Sequence, residues 1–239
     1  MFEEPIDGRN IIGISKTGNR LIEIPAYFMK NGGSAVITGD AIEPQDWSEF
    51  DGIGAGYTLE FHNTQKEIPA HAFEDDENLR AVTAPLVEKI GRRAFKYCFS
   101  LKLICFQRVQ TIDKAAFHGC NSLKSVRFES AERISSQAFM ECRHLEAAVF
   151  PKTRYIGVMA FDGCPSLKFV HIPCIGNERM LAYSGFIDSE RLESIEINER
   201  NPRFAGMKAL LEMKGLGHII TNYVQQNVNS MNEWEEHSA

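Results

Sequence analysis

The sequence predicts an α/β repeat solenoid, with a parallel β-sheet along one side and short helical or 3₁₀ turns along the other. Three observations carry that prediction. Isoleucine recurs every 22 residues at Ile90, Ile112, Ile134 and Ile156. In the same frame run Ala94, Ala116, Ala138 and Ala160, then Phe95, Phe117, Phe139 and Phe161, then Cys98, Cys120, Cys142 and Cys164, then Leu101, Leu123, Leu145 and Leu167. Each unit also ends in alternation, as where Val126 and Phe128 point inward while Ser125 and Arg127 point out, the period-2 signature of a strand. One coil of this length cannot cover its own apolar face. Stacked coils turn each column into a continuous ladder within a shared core.

Along the chain, residues 1–66 read as an N-terminal capping region or two decayed repeats. Ile24 lies two periods before Ile68, and Phe28 and Phe50 are one period apart, but Asp46 breaks the isoleucine column. Gly52, Gly54 and Gly56, like the pair Gly8 and Gly13, read as turns, because neither spacing carries the strand, lysine and helix context that a phosphate loop requires. Tyr57–Phe61 reads as a strand. Residues 67–204 hold about six repeats. The first keeps Ile68, Ala72, Phe73, Leu79, Val82 and Ala84 but places Asp76 in the cysteine column, and the last recovers Phe186, Leu192, Ile195 and Ile197 after an insertion of three. Pro85, Pro151 and Pro173 follow the strand in three units; proline has no N–H and suits the point where ladder pairing stops. Between the isoleucine and the cysteine, the Ala-Phe pair suits a short helical or 3₁₀ turn. Residues 205–239 break the frame and read as a C-terminal cap, with a helical start, Leu210, Leu211, Ile219, Ile220 and Tyr223 covering the solenoid end, and a frayed tail.

The unit from Ile156 to Pro173 resembles the BspA-like leucine-rich repeat, whose form is I-G-x-x-A-F-x-x-C-x-x-L-x-x-I-x-I-P. Gly91 and Gly157 keep the glycine, and all four central units keep A-F-x-x-C-x-x-L. The resemblance implies a leucine-rich-repeat horseshoe with its parallel sheet on the concave face. It also implies a recognition role without catalytic residues or cofactors.

The cysteines invite a metal or disulfide reading. Zinc needs ligands that converge, whereas a column every 22 residues forms a line. Thiols stacked about 4.8 Å apart exceed the roughly 3.5–4.5 Å between Cβ atoms that a disulfide spans. They read instead as small core residues. Three Cys/His pairs, His118 with Cys120, Cys142 with His144, and His171 with Cys174, are weak candidates for nucleophilic chemistry. The first two cysteines belong to the core column, and His118 and His144 fall at surface positions. The acidic run from Glu74 to Glu77 reads as a solvated turn. The face that can bind is the outward side of the strands. Leu103, Cys105, Arg127, Val149, Phe169 and His171 are the candidate partner-binding residues, because several are apolar where a solvated sheet face is normally polar.

Composition bounds the function. The 239 residues are 44% hydrophobic and 24% charged, which excludes a disordered chain, and no apolar run reaches the length of a membrane span. The acidic start lacks an apolar secretory core. That start and the reduced-thiol reading favour a cytoplasmic location over export. Residues 1–66 carry five basic and ten acidic side chains, whereas residues 89–168 carry fourteen basic and six acidic. Arg92, Arg93, Lys96, Lys114 and Lys124 are placed on the convex turns, and without interleaved aromatics for bases to stack on this argues against nucleic acid. The expected function is protein or peptide recognition through the concave sheet. The alternative is an exported surface, adhesion or virulence factor contacting host proteins.

Overall fold

The computed structural model describes residues 10–14, 20–25, 33–37, 57–61, 66–176, 178–186 and 189–222. In chain order the first strands are β1 (Asn10–Ile14), β2 (Arg20–Pro25), β3 (Gly33–Ile37) and β4 (Tyr57–Phe61). Short and longer strands then alternate: β5 (Glu67–Ile68), β6 (Leu79–Thr83), β7 (Lys89–Ile90), β8 (Leu103–Cys105), β9 (Thr111–Ile112), β10 (Ser125–Arg127), β11 (Arg133–Ile134), β12 (Ala147–Val149), β13 (Tyr155–Ile156) and β14 (Phe169–His171). Helix α1 (Glu178–Tyr183), β15 (Ser194–Ile197), α2 (Phe204–Met213) and β16 (Ile220–Asn222) complete the order.

The alternation produces two parallel ladders. Each longer strand joins the main face and each two-residue strand joins a second sheet of order β13-β11-β9-β7-β5. The second sheet has no counterpart in the sequence prediction, because a polar residue and one isoleucine are too short a run to show period 2. Register follows the repeat: Ala148 pairs with Val170 and Ile134 with Ile156. The main face divides into a six-stranded sheet, β1-β2-β3-β4-β6-β8, and a five-stranded sheet, β10-β12-β14-β15-β16. Lys102, Glu146, Lys168 and Glu193 each donate a backbone N–H to the preceding coil, at Arg80, Lys124, Glu146 and Lys168 respectively. Among the described residues Lys124 makes no such bond, and the ladder stops between β8 and β10.

The remaining side of each coil consists of successive turns closed by the i→i+3 bonds of a 3₁₀ helix, such as Ala116 N–H to the Asp113 carbonyl and Cys120 N–H to the Phe117 carbonyl. They never lengthen into a regular helix, because left-handed residues interrupt them in every coil. Arg93, Ala115, Gln137 and Met159 hold φ between 56° and 62°, and Tyr97, Gly119, Glu141 and Gly163 between 58° and 75°. Alternate amides are thereby turned toward the next coil: Phe95 donates to Ala116, Phe117 to Ala138 and Phe139 to Ala160, at 2.7–2.8 Å.

Between the three sides lies one core. Phe73, Phe95, Phe117, Phe139 and Phe161 stack face to face at 5.1–5.3 Å between centroids, and Phe106, Phe128 and Phe150 form a second stack at 5.8–5.9 Å. All are buried. The insertion before Phe186 is occupied by α1, whose end continues the turn ladder through Met159 N–H to the Tyr183 carbonyl.

The repeat geometry ends differently at the two ends. At the start, β3 pairs parallel with β4 and β4 with β6, which carries the parallel main face back to Gly33. There, β1, β2 and β3 are antiparallel, ending the repeat geometry. Gly13 lies within β1 rather than in the turn expected of it, at a register irregularity; Gly8 and the Gly52–Gly56 segment lie outside the described residues. At the other end α2 buries Met207 and Leu211, a 3₁₀ turn buries Ile219, and β16 adds a last parallel strand carrying Ile220. Tyr223 and the tail lie outside the described residues. No helix among those described is long and apolar enough to cross a membrane.

Candidate functional site

Two columns of side chains stand on the outer surface of the main face. In register, one runs Ala81, Leu103, then Ser125, Ala147, Phe169, Ser194; the other runs Thr83, Cys105, then Arg127, Val149, His171, Glu196. Alternation along each strand puts Val126, Ala148, Val170 and Ile195 into the core and leaves these columns outside. The surface is open in one half and closed in the other. Leu103 is 68% exposed, and Cys105 and Arg127 are exposed beside the ladder break. Phe169 is half-buried.

Val149 and His171 depart from the sequence reading, being only 8% and 2% exposed. Arg127 and His171 flank Val149 in register, and His171 is itself flanked by Val149 and Glu196. The His171 Nδ1 is hydrogen-bonded to the Glu196 carboxylate, which satisfies a polar ring that would otherwise be costly to bury. Ser194 and Thr221 share a hydroxyl hydrogen bond of 2.9 Å on the next pair of strands. Such side-chain pairs depend on what an adjacent strand brings across, and no signal within one coil reveals them.

The rim that leads into the strands is charged. Arg80, Lys102 and Lys124 occupy one position in three successive coils and are exposed. Lys124 thus stands at the edge of the main face, not on the convex turns expected of it. Glu146 and Lys168 continue the column and pair at 2.9 Å. At the opposite rim Arg127 pairs with Glu129 through a short charge-assisted hydrogen bond, and Arg108 is exposed.

The other sequence candidates sit elsewhere. Cys98, Cys120, Cys142 and Cys164 are buried, and each thiol donates to a phenylalanine carbonyl 25 residues earlier: Phe73, Phe95, Phe117 and Phe139, at 3.0–3.2 Å. Burial pushes all four thiols up, Cys164 to about 12 from an ordinary 9.0, so none is a ready thiolate nucleophile. His144 is exposed, with Nδ1 2.6 Å from the Asn121 carbonyl. His118, expected at the surface, is partly covered. Its ring meets the edge of Tyr97 at 5.2 Å, its Nε2 lies 3.9 Å from Glu141, and burial lowers its pKa. The third pair separates too, with His171 engaged to Glu196 while Cys174 is exposed. Among the described residues no three of His, Cys, Asp and Glu group as a metal site would require.

The acidic run is likewise more than a solvated turn. Glu74 bonds His71 within its coil and reaches Lys96 of the next at 3.4 Å, and these partners hold its carboxyl below the usual range although burial opposes them. Asp76 is buried in the cysteine column, where its carboxylate accepts the N–H groups of Asn78 and Leu79 at 3.0 Å.

A profile of the BspA type leucine-rich repeat region matches residues 49–168 and 132–233, in six copies. No curated protein matches the chain in sequence. Among solved structures, the T. pallidum leucine-rich repeat protein TpLRR is similar at 20% identity and a TM-score of 0.52, over 92% of this chain and 98% of that one. The pneumococcal vaccine antigen PcpA is similar at 17% identity and a TM-score of 0.55, over 70% of this chain and 41% of that one. At these identities the likeness is one of fold.

Proposed function

Because the chain belongs to the BspA-type leucine-rich repeat family, we propose that it is a non-enzymatic module that recognises a protein or peptide on the open half of its main sheet. One observation carries the reading: Leu103 stands 68% exposed on that surface, next to exposed Cys105 and Arg127, where a purely solvated sheet face would be polar. Phe169 extends the apolar surface toward the closed half. Val149 and His171 act beneath it, as the packed floor that orients their neighbours.

Position-specific cross-linking tests the proposal. A photoreactive side chain at position 103 should capture a partner, whereas the same group at position 158, 50% exposed in the turn segment, should not. Leu103→Asp combined with Phe169→Ala should then weaken the purified complex at least tenfold, with an unchanged circular dichroism spectrum. Adducts from 158 and none from 103 would place recognition on the wrong side.

A further inference from the structure

Coil-to-coil ion pairing is the rule in this solenoid. Lys66 pairs with Glu88, Glu67 with Lys89, Glu74 with Lys96 and Glu146 with Lys168, each across 22 residues. Side chains at one repeat position sit on neighbouring strands roughly 4.8 Å apart, so opposite charges attract and like charges repel there. The column Arg80, Lys102, Lys124 violates the rule. In no other column of residues 66–176 do three cations follow one another, and among the described residues none of the three has a carboxylate within ion-pair distance. Glu146, the next residue of the column, is paired to Lys168 at 2.9 Å, so the mutual repulsion of the three is met by no ion pair among the described residues.

The surroundings say what would compensate it. Leu103 projects beside Lys102, and Cys105 and Arg127 complete the strip between the two rims. Resting on the recognition reading above, we infer that the ligand is an acidic polypeptide segment lying along this strip. Its carboxylates engage Arg80, Lys102 and Lys124, and an apolar side chain covers Leu103. Charge complementarity supplies steering and register, and the leucine supplies the desolvated contact. The strip residues Leu103, Cys105, Ser125 and Arg127 include no aromatic ring, so stacked bases have no platform, and a bare phosphate backbone would leave Leu103 in water.

The test uses the intact chain and a fluorescent ten-residue peptide with glutamate at alternate positions around a central leucine, read by anisotropy at low and high salt. Comparators are the same peptide with serine for leucine, its lysine-for-glutamate counterpart, and a ten-nucleotide oligothymidylate. Expected is binding of the acidic leucine peptide that falls at least tenfold with salt, a severalfold loss with serine, and no binding of the lysine peptide. Lys102→Glu with Lys124→Glu should abolish binding. Arg92→Glu with Lys114→Glu, the same charge change at exposed positions in the turn segments, should preserve it. Equal loss in both double variants, salt-independent binding by the unaltered chain, or oligothymidylate binding as tightly as the peptide each overturns the inference. If cross-linking at 103 captures a partner while the acidic peptide fails, the acidic chemistry is wrong and recognition by this face stands. If both fail, the recognition reading falls with it.

Discussion

Cys164 shows how much one side chain does for its neighbours. Its thiol donates to the Phe139 carbonyl at 3.2 Å, a second hydrogen bond to a buried acceptor that also takes the Cys142 N–H of its own turn. Because burial raises the folded pKa above that of the unfolded chain, the contribution is complete below pH 9 and is lost as pH rises through the window up to about 12. Within that window unfolding releases a proton, and stability falls by about 1.4 kcal/mol per pH unit for each such thiol. Urea melts from pH 8 to 10.5 should show a steep alkaline loss, and Cys164→Ala, though weaker at pH 7, should lose stability less steeply by one thiol's share. An unchanged slope would mean that this thiol ionises in the fold. The cysteine and phenylalanine columns were legible in the sequence because burial in a solenoid follows the repeat itself. His171 was not, because its burial depends on Glu196, which the inserted α1 places 25 residues away rather than 22.

At the scale of elements, the two-residue strands and the left-handed turns escaped the sequence reading for a common reason. Their order comes from hydrogen bonds to adjacent coils, so a pattern within one coil does not report it. The break between β8 and β10 was equally hidden, since the frame runs across it without insertion. It has a measurable consequence. The amides of Lys102 and Glu146 donate to the coil before them at 2.8 and 2.7 Å, whereas that of Lys124 does not. Exchange protection follows such bonds and the opening that breaks them. In native-state hydrogen exchange the Lys124 amide should therefore exchange at least tenfold faster than those of Lys102 and Glu146. Equal protection at all three would mean that the main face is one continuous sheet in solution. The break lies beside Leu103, Lys102 and Lys124, on the strip proposed above for recognition.

For the whole molecule the question is what couples the two halves that the ladder leaves apart. In a solenoid, stability is close to a sum of coil terms and nearest-neighbour interfaces, so one weak interface can divide the unfolding transition. Across the β8–β10 junction the remaining links are the second sheet, which runs on through β7, β9 and β11, the turn ladder, the Cys120 thiol bond to the Phe95 carbonyl, and the rings. Phe117 is central among them: it stacks on Phe95 at 5.1 Å and packs against Phe106 at 6.4 Å on one side, and meets Phe128 and Phe139 at 6.0 and 5.2 Å on the other. Phe139 has an equivalent set of rings, Phe117, Phe128, Phe150 and Phe161, but its main-face strands β10, β12 and β14 are joined without a break. Removing either ring should cost about 3–5 kcal/mol as a large-to-small core change. The two losses should differ in kind. Phe139→Ala should unfold in one transition at lower urea, because backbone pairing on every side still transmits the strain. Phe117→Ala should broaden or split the transition, the half bearing β10 to β16 melting apart from the half bearing β1 to β8, with circular dichroism and tyrosine fluorescence no longer coincident. If both variants melt in a single transition with the same urea dependence, the second sheet and the turn ladder suffice to couple the halves and the break in the main sheet has no part in cooperativity.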